Sequence, residues 1–185
     1  MELPEGFVYR PELIPADEEK ALIEEIERIQ FSEVRMHGVV ARRRTAHFGF
    51  NYAYGSRQVS EGVAIPMPLL GLRERLREMV AIEPAEFVEV LVTEYRAGAG
   101  IGWHRDAPAF GVVAGVSLAG ECRMRLRPYA VEERGARAVD VVLEPRSGYV
   151  LQGLARTAWQ HSIPATKGLR YSVTFRTLRR LVTQR

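Results

Sequence analysis

The sequence predicts an α+β domain in which two amphipathic helices are followed by an antiparallel β-sandwich or jelly roll. Its 185 residues suit one domain. Two segments before residue 87 show helical spacing of apolar residues, and after it short β-type runs recur between glycines. Helices followed by a run of strands are typical of the α+β class. We therefore expect a single domain over residues 1–185, with helices in about 1–86 and the β core in about 87–180.

The two helices are predicted from apolar residues that recur every three or four positions. The first helix covers about 17–30, and the second covers about 69–80 and ends before Pro84. The residues that set this spacing are Ala21, Leu22, Ile26 and Ile29 in the first helix and Leu69, Leu72, Leu76 and Val80 in the second. Each helix therefore has one apolar face, which we expect to cover the β core.

The segment between the helices, residues 31–60, is rich in glycine, aromatic residues and arginine. Its aromatic residues alternate along an extended hairpin and therefore share one face. They are Phe48, Phe50, Tyr52 and Tyr54, and the adjacent basic triplet is Arg42, Arg43 and Arg44. Two interpretations remain open at this point: the aromatic face covers the core, or it is a platform on which nucleic-acid bases stack.

Six β-strands are predicted after the second helix, over residues 87–95, 111–118, 123–127, 139–143, 149–151 and 170–175. In one of them Arg123, Arg125 and Arg127 share a face, which fits either a solvated edge or a track for phosphates. We expect Glu89 and Glu94 of the first strand to be exposed. The short strands and glycine-containing turns favour antiparallel pairing.

Composition places the chain among soluble globular proteins and excludes several other classes. Hydrophobic residues make up 46% and charged residues 26%, which is ordinary for such proteins. No apolar run reaches the roughly 18–20 residues that a membrane-spanning helix needs. The single cysteine, Cys122, excludes an internal disulfide and a cysteine-rich zinc module. The N-terminus lacks the features of a secretory signal, so we expect a cytoplasmic monomer without a membrane partner.

The net charge of +3 is unevenly distributed along the chain. Residues 1–33 carry a net charge of −7, and the remaining residues carry +10. A basic surface of this size can attract a phosphate backbone. Charge alone is nevertheless more typical of a solvated surface, so the chemistry of individual residues has to decide.

The histidines and aspartates include a candidate metal site. Of four histidines and three aspartates, His104 and Asp106 lie two positions apart, which places them on one face of a strand. His161 could supply a third ligand. Two histidines and one carboxylate on one face of an octahedron leave three positions open, as in non-haem Fe(II) oxygenases.

The last predicted strand alternates strictly between polar and apolar residues. Arg170, Ser172, Thr174 and Arg176 share one face, and Tyr171, Val173 and Phe175 share the other. If the polar face points into the β-sandwich, each buried arginine needs an anionic partner. A dicarboxylate co-substrate could satisfy one arginine and Asp106 the other. An exposed edge strand with surface arginines is the alternative.

Taken in order, these residues resemble a known family. The matching elements are Tyr95, Gly98, Gly100, the run His104-Arg105-Asp106, His161 and the run Arg170-Tyr171-Ser172-Val173-Thr174-Phe175-Arg176. The chain resembles the AlkB-like branch of the 2-oxoglutarate/Fe(II)-dependent dioxygenases over about residues 49–176. That resemblance implies a double-stranded β-helix (jelly roll) with N-terminal helices packed on it and a nucleotide-recognition lid. It also implies oxidative demethylation of N-alkylated bases in DNA or RNA with Fe(II), 2-oxoglutarate and O₂, releasing formaldehyde, succinate and CO₂.

The resemblance implies roles for the residues of the matching motifs. The iron ligands, and so the catalytic residues, would be His104, Asp106 and His161. The co-substrate would be bound by Arg170, Arg176, Tyr95, Thr93 and Ser172. Arg170 would pair with the distal carboxylate of 2-oxoglutarate beside the Tyr95 hydroxyl, and Arg176 would hold Asp106 and the C1 carboxylate. The single-stranded or flipped nucleotide would contact Tyr52, Tyr54, Arg42, Arg43, Arg44, Trp103 and Gln152.

Two positions depart from the family pattern. Pro108 stands where the repair enzymes carry a carboxylate that contacts the target base, and Gln152 stands where a founding member has a stacking aromatic residue. These departures leave open the same chemistry on a tRNA, a protein side chain or a small molecule. A non-catalytic nucleic-acid-binding β-sandwich is a second alternative, although the complete iron and co-substrate motif argues against it.

Overall fold

The computed structural model describes residues 2–36, 38–53, 58–130 and 137–179, with the side chains of 36, 51–53, 58 and 59 outside the description. The helices are α1 (Ala16–Ile26), α2 (Met67–Arg77), a 3₁₀ turn (Pro84–Glu86) and α3 (Gly153–Thr157). The strands are β1 (Phe7–Arg10), β2 (Ser32–Met36), β3 (Val39–Ala53), β4 (Gln58–Glu61), β5 (Phe87–Tyr95), β6 (Ile101–His104), β7 (Phe110–Leu118), β8 (Cys122–Pro128), β9 (Val139–Leu143), β10 (Gly148–Leu151), β11 (Trp159–Ile163) and β12 (Arg170–Leu178). The predicted α+β class is confirmed.

Two antiparallel sheets form the jelly roll. The major sheet has the order β1-β10-β7-β12-β5-β3-β2, with β4 paired to β3, and the minor sheet has the order β6-β11-β8-β9. Strands β1, β2 and β3 come from the N-terminal part of the chain, so this part completes the major sheet in addition to supplying helices. Among the described residues, no helix is long and apolar enough to cross a membrane.

Helices α1 and α2 cover the outer face of the major sheet, as their apolar faces predict. Leu22 and Ile26 of α1 and three leucines of α2 are buried in one cluster with the sheet. The sheet contributes to that cluster Val90, Val92, Val116, Val150, Tyr171, Val173 and Phe175. A second apolar cluster lies between the two sheets and includes Met124, Leu126 and Leu143. The molecule therefore has three layers: helices, major sheet and minor sheet.

Strand β12 divides its side chains between these layers. Its apolar residues Tyr171, Val173 and Phe175 pack under the helices. The alternate residues must face the minor sheet, and Arg170, Ser172, Thr174 and Arg176 are all buried there. The polar face therefore points inward, and the exposed-edge alternative is excluded.

The hairpin of β3 and β4 carries the aromatic residues of the predicted lid. Phe48 packs against the cluster beneath the helices, which favours the core interpretation for this residue. Phe50 lines a shallow cleft with Ile65, Leu70 and Phe87. Tyr54 and the side chain of Tyr52 lie outside the described part of the chain.

Candidate active site

A cavity of about 190 Å³ lies between the two sheets. Its floor is formed by β5 and β12, where polar residues face each other across the sheet because the strands pair in antiparallel register. The cross-strand pairs are Tyr95 with Arg170, Thr93 with Ser172, Leu91 with Thr174 and Glu89 with Arg176. The wall opposite comes from β6 and β11 of the minor sheet, which carry His104 and His161.

The three candidate iron ligands meet at this cavity. His104 and His161 are direct partners in the β6–β11 pair, and their ring centroids are 4.3 Å apart. The Nε2 atom of His161 lies 3.8 Å from Oδ2 of Asp106. His104 Nδ1 lies 2.9 Å from the Gly102 carbonyl oxygen, so Nε2 is the ring atom left for a metal. Among the described residues, no three such side chains already have a geometry that holds an ion, so metal binding requires their adjustment.

The protonation states at this cluster fit a metal. Burial, and to a lesser degree nearby His104, lowers the pKa of His161 to about 3, and burial also lowers the pKa of His104. Burial alone would raise the pKa of Asp106, but Arg176 and the two histidines outweigh it and bring the pKa below its usual range. Neutral imidazoles and an ionised carboxylate are the forms that bind metal.

Arg176 fixes the Asp106 carboxylate from behind. Its Nε and Nη2 lie 2.9 and 2.7 Å from Oδ1 of Asp106, which leaves Oδ2 directed towards His161. Its Nη1 donates to both oxygens of Glu89, at 3.0 and 2.7 Å. Burial lowers the pKa of Arg176, but the carboxylates of Glu89 and Asp106 raise it more, so the guanidinium stays charged.

Glu89 is a site residue that the sequence analysis missed. The expectation that Glu89 and Glu94 are exposed is wrong, because their exposed fractions are 1% and 5%. Glu89 also lies 3.4 Å from Nδ1 of His47 on β3. The alternation of β5 contained a usable signal, since Glu89 shares a face with Thr93 and Tyr95.

Arg170 is fully buried and lacks a carboxylate partner among the described residues. Its Nε donates to Oγ of Ser117 at 2.9 Å, while Nη1 and Nη2 are buried with no hydrogen-bond partner. Its guanidinium lies 5.1 Å from the Tyr95 ring. Burial raises the pKa of Tyr95 to about 12, so its phenol stays neutral. Two parallel N–H donors without acceptors match a carboxylate, which accepts two hydrogen bonds from one guanidinium.

The arginine triplet is separated by strand alternation. Arg43 lines the cavity with Thr45 and His47. Arg44 faces the other way and makes a bidentate contact with Glu94, at 2.9 and 2.8 Å. Arg42 lies against the β5–β6 loop. A β-carbon at Gly98, where φ is +80°, would be 2.7 Å from Nη1 of Arg42.

Three further sequence-predicted or unusual positions lie outside the cavity. Pro108 and Gln152 line a separate groove of about 1160 Å³ that reaches Asp106 from the other side. Trp103 is half-buried on the outer face of the minor sheet, with the guanidiniums of Arg127 and Arg125 at 4.1 and 5.0 Å from its ring.

Arg156 is a second residue that the sequence analysis missed. It is buried on α3, and its Nη2 donates to the carbonyl oxygens of Asp106, Ala107 and Phe110 at 3.3, 2.6 and 2.9 Å. These contacts hold the loop that carries Asp106. No sequence signal indicates them, because the acceptors are backbone atoms distant along the chain.

A jelly roll with two histidines and a carboxylate beside buried arginines defines the class of oxygenases that combine a metal with an acidic co-substrate. A sequence model described as the 2OG-Fe(II) oxygenase superfamily matches residues 7–179. The chain belongs to this superfamily. It is an AlkB-like dioxygenase that uses Fe(II), 2-oxoglutarate and O₂.

Similar proteins include two curated relatives and one solved structure. The "Alkylated DNA repair protein ALKBH8 homolog" of Arabidopsis thaliana is 28% identical over 184 residues, covering 88% of this chain and 51% of the relative. The "tRNA (carboxymethyluridine(34)-5-O)-methyltransferase ALKBH8" of Macaca fascicularis is 28% identical over 173 residues, covering 89% and 25%. The chain thus spans about half and a quarter of their lengths. The structure of OsALKBH1 matches the fold with a TM-score of 0.70 at 17% identity, covering 96% of this chain and 99% of that one.

Proposed function

We propose that this dioxygenase oxidatively removes a methyl group from an N-alkylated base in nucleic acid and releases formaldehyde, succinate and CO₂. The observation that carries the oxidative chemistry is the buried Arg170, whose Nη1 and Nη2 have no partner among the described residues. An acidic co-substrate satisfies this guanidinium beside the histidine cluster. The nucleic-acid substrate is supported by the two relatives, whose names refer to alkylated DNA and to tRNA.

His104, Asp106 and His161 would hold the iron. Fe(II) bound there would, together with 2-oxoglutarate, activate O₂ and supply the oxidising power for attack on the alkyl carbon. Arg176 keeps Asp106 ionised and oriented, through contacts of 2.7 and 2.9 Å with one of its oxygens. Arg176, Glu89 and His161 are buried, and the low dielectric around buried groups strengthens these charged contacts.

The co-substrate would lie between Arg170 and the metal cluster. Arg170 binds its distal carboxylate, and Ser117 holds the guanidinium in place through Nε at 2.9 Å. The hydroxyl of Tyr95 would donate a hydrogen bond to the same carboxylate, because its pKa of about 12 keeps the phenol neutral. Thr93 and Ser172 supply hydroxyls on the cavity floor.

The alkylated base would enter the cavity from β3. Arg43, Thr45 and His47 line it on that side and are the side chains placed to contact a base or its phosphate. Tyr52 and Tyr54 of the hairpin remain candidates for gripping the nucleotide. Gln152 would contact a longer substrate that fills the groove reaching Asp106.

The test is product release from defined substrates. The protein is incubated with Fe(II), 2-oxoglutarate and O₂ and with N-methylated single-stranded DNA, RNA or tRNA, against unmethylated strands of the same sequence. We expect formaldehyde and succinate in equal amounts with at least one methylated polymer. Succinate that forms slowly and equally with every strand would refute the nucleic-acid substrate and point to a protein or small molecule.

A further inference from the structure

The outer face of the minor sheet carries a ladder of arginine and aromatic side chains. Along β8 the residues alternate, so that Met124 and Leu126 point into the apolar cluster while Arg123, Arg125 and Arg127 point outward. On the neighbouring β6, His104 lines the cavity, so Trp103 points to the outer face. We refer to Trp103, Arg105, Arg125, Arg127 and Tyr129 together as the arginine platform.

The side chains of the arginine platform are ordered by stacking. The Trp103 ring has Arg127 at 4.1 Å and Arg125 at 5.0 Å, and the Tyr129 ring has Arg105 at 3.6 Å. These distances are within the range of cation–π contacts. The rings thus hold three guanidiniums in fixed planes, which lowers the entropy lost when a ligand binds them.

Hydrogen bonds from below fix the same guanidiniums. Nε of Arg125 donates to Ser162 Oγ at 3.1 Å. Nε of Arg127 lies 2.9 Å from the Gln160 amide oxygen when that amide is oriented to match its neighbours. Nη1 of Arg105 donates to the Thr157 carbonyl oxygen at 3.0 Å. Several N–H donors of each arginine remain directed away from the sheet, since a guanidinium has five.

The charge of the face is positive. The four strands of the minor sheet contain three arginines and one acidic residue, Asp140, which pairs with Arg123 at 3.3 Å. Among the described residues, Arg105, Arg125 and Arg127 form no ion pair with a carboxylate. On the opposite outer layer, the five acidic residues and one lysine of α1 outweigh the three arginines and one glutamate of α2. This asymmetry directs a polyanion to the minor-sheet side.

We propose that the arginine platform binds the single-stranded nucleic acid flanking the target base. The inference rests on the proposed function and adds a second contact surface outside the cavity. Arginines bind phosphates, and bases stack on aromatic rings and guanidinium planes, a combination that an acidic peptide cannot use fully. From Arg123 to Tyr129 the face extends about 20 Å, at about 3.3 Å per residue, which accommodates a few nucleotides.

The position of the platform suits this role. Trp103 and Arg105 alternate along the chain with the candidate iron ligands His104 and Asp106. His104 and Asp106 lie beside His161 at the cavity, whereas Trp103 and Arg105 stack with Arg127 and Tyr129 outside it. Strand β6 is the edge strand of the minor sheet. A nucleic-acid strand that passes over this edge of the sheet can contact the arginine platform while its target base lies in the cavity.

The test compares two double variants by fluorescence anisotropy with a labelled single-stranded oligonucleotide of about 12 nucleotides. R125Q/R127Q removes two charges from the platform, and R75Q/R77Q removes the same charge from the exposed face of α2, on the opposite layer. We expect R125Q/R127Q to bind at least tenfold more weakly and its salt slope to fall by about 1.4, at about 0.7 per phosphate of a single strand. R75Q/R77Q should bind like the wild type.

Trp103 provides a second test that keeps the charge constant. Trp103→Leu should weaken binding roughly five- to 150-fold because a base loses the ring on which it stacks, while Trp103→Phe should retain most of the affinity. Thermal unfolding of each variant checks that the fold is intact.

The outcomes separate this inference from the proposed function. Equal affinity and salt slope for the two double variants would overturn the platform, even if methylated strands are demethylated. If R125Q/R127Q binds more weakly but no methylated strand yields formaldehyde, the arginine platform is supported and the proposed demethylase activity is refuted. Absence of oligonucleotide binding by the wild type would overturn the platform as well.

Discussion

Arg170 is the residue whose surroundings specify its ligand most closely. A fully buried guanidinium with two unpartnered nitrogens is costly unless an anion binds it. In this family the anion is the co-substrate 2-oxoglutarate. Its carboxylate therefore explains why Arg170 is buried with two unpartnered nitrogens. Ser117 and Tyr95 then act as positioning groups for the guanidinium and the carboxylate.

Arg170→Gln should therefore raise the KM for 2-oxoglutarate by about 10- to 150-fold. A hydrogen bond to a charged group contributes roughly 1.5–3 kcal/mol, and this variant removes such contacts. KM is measured from succinate formation at varied 2-oxoglutarate. Arg96→Gln is the matched control, because Arg96 is exposed and pairs with Glu94 outside the cavity. An unchanged KM in Arg170→Gln would place the co-substrate elsewhere.

Removing the Glu89 carboxylate should lower the free energy of unfolding more than removing an exposed carboxylate does. Glu89→Ala should lower the free energy of unfolding by roughly 3–5 kcal/mol, because it leaves the buried Arg176 without one of its two carboxylates. Glu78→Ala, which breaks an exposed pair with Arg10, should cost less than about 1 kcal/mol. Urea denaturation of both variants measures the difference. Equal losses would show that the Glu89–Arg176 pair contributes no more than a surface pair.

At the scale of elements, α3 supports the loop that follows β6. Arg156 connects them through three backbone carbonyls, including that of Asp106. Arg176 orients the Asp106 carboxylate directly, while the contacts of Arg156 hold the backbone of the loop that carries it. Arg156 is thus a positioning residue for a metal ligand.

Arg156→Ala should weaken metal binding about 10- to 100-fold, the range found when partners of metal ligands are removed. Arg156→Lys should recover part of the loss, since an ammonium group can also donate to several carbonyl oxygens. Mn(II) titration followed by electron paramagnetic resonance measures the affinity directly. Unaltered affinity in Arg156→Ala would show that the loop keeps its shape without this contact.

The sequence pattern predicted both long helices and strands β5, β7, β8, β9, β10 and β12. Strands β6 and β10 have four residues each, so length alone does not explain why only β10 was predicted. β10 ends in the apolar run Tyr149-Val150-Leu151, whereas Gly102 and His104 interrupt the apolar pattern of β6. Strand β11 places Gln160, His161 and Ser162 in buried positions, because its polar residues serve the cavity and the platform. The buried positions of β11 are therefore polar, and the strand lacks the alternation of apolar and polar residues by which a strand is recognised in a sequence.

The candidate site was predicted where chemistry is local in sequence. His104 and Asp106 lie two residues apart, and Arg170 and Arg176 share one strand. His161 and the contact of Arg176 with Asp106 were predicted across 57 and 70 residues through the family resemblance. Glu89 and Arg156 were missed because they belong to none of the matching motifs and their partners lie 87 and 46 to 50 residues away. Strand alternation assigns Arg43 and Arg44 to opposite faces, and the nucleotide contacts expected of the arginine triplet stay a prediction.

At the scale of the whole molecule, the layers divide the tasks. The cluster under the helices supplies an apolar core on one side of the major sheet. The space between the sheets holds the second apolar cluster together with the buried charges of the site. The cluster under the helices therefore stabilises the fold without lining the cavity. Ligand binding should then add to the stability that this core provides.

Fe(II) and 2-oxoglutarate, added together without O₂, should raise the melting temperature. At a ligand concentration 100 times Kd the gain is about 2.7 kcal/mol, which corresponds to about 5–10 °C for a chain of this size. Differential scanning fluorimetry measures the shift, with succinate in place of 2-oxoglutarate as the control. A melting temperature that neither ligand changes would contradict the assigned cavity.

The alternation of polar and apolar residues along β12 also selects the correct pairing register of this strand during folding. Shifting its pairing with β5 by one residue would place Arg170 and Arg176 under the helices and the aromatic residues in the cavity. Such a register error would bury unpaired charge in the apolar core, so the misregistered chain cannot be stable. A molecule that reaches the folded state has, by that fact, assembled the residues of its candidate active site.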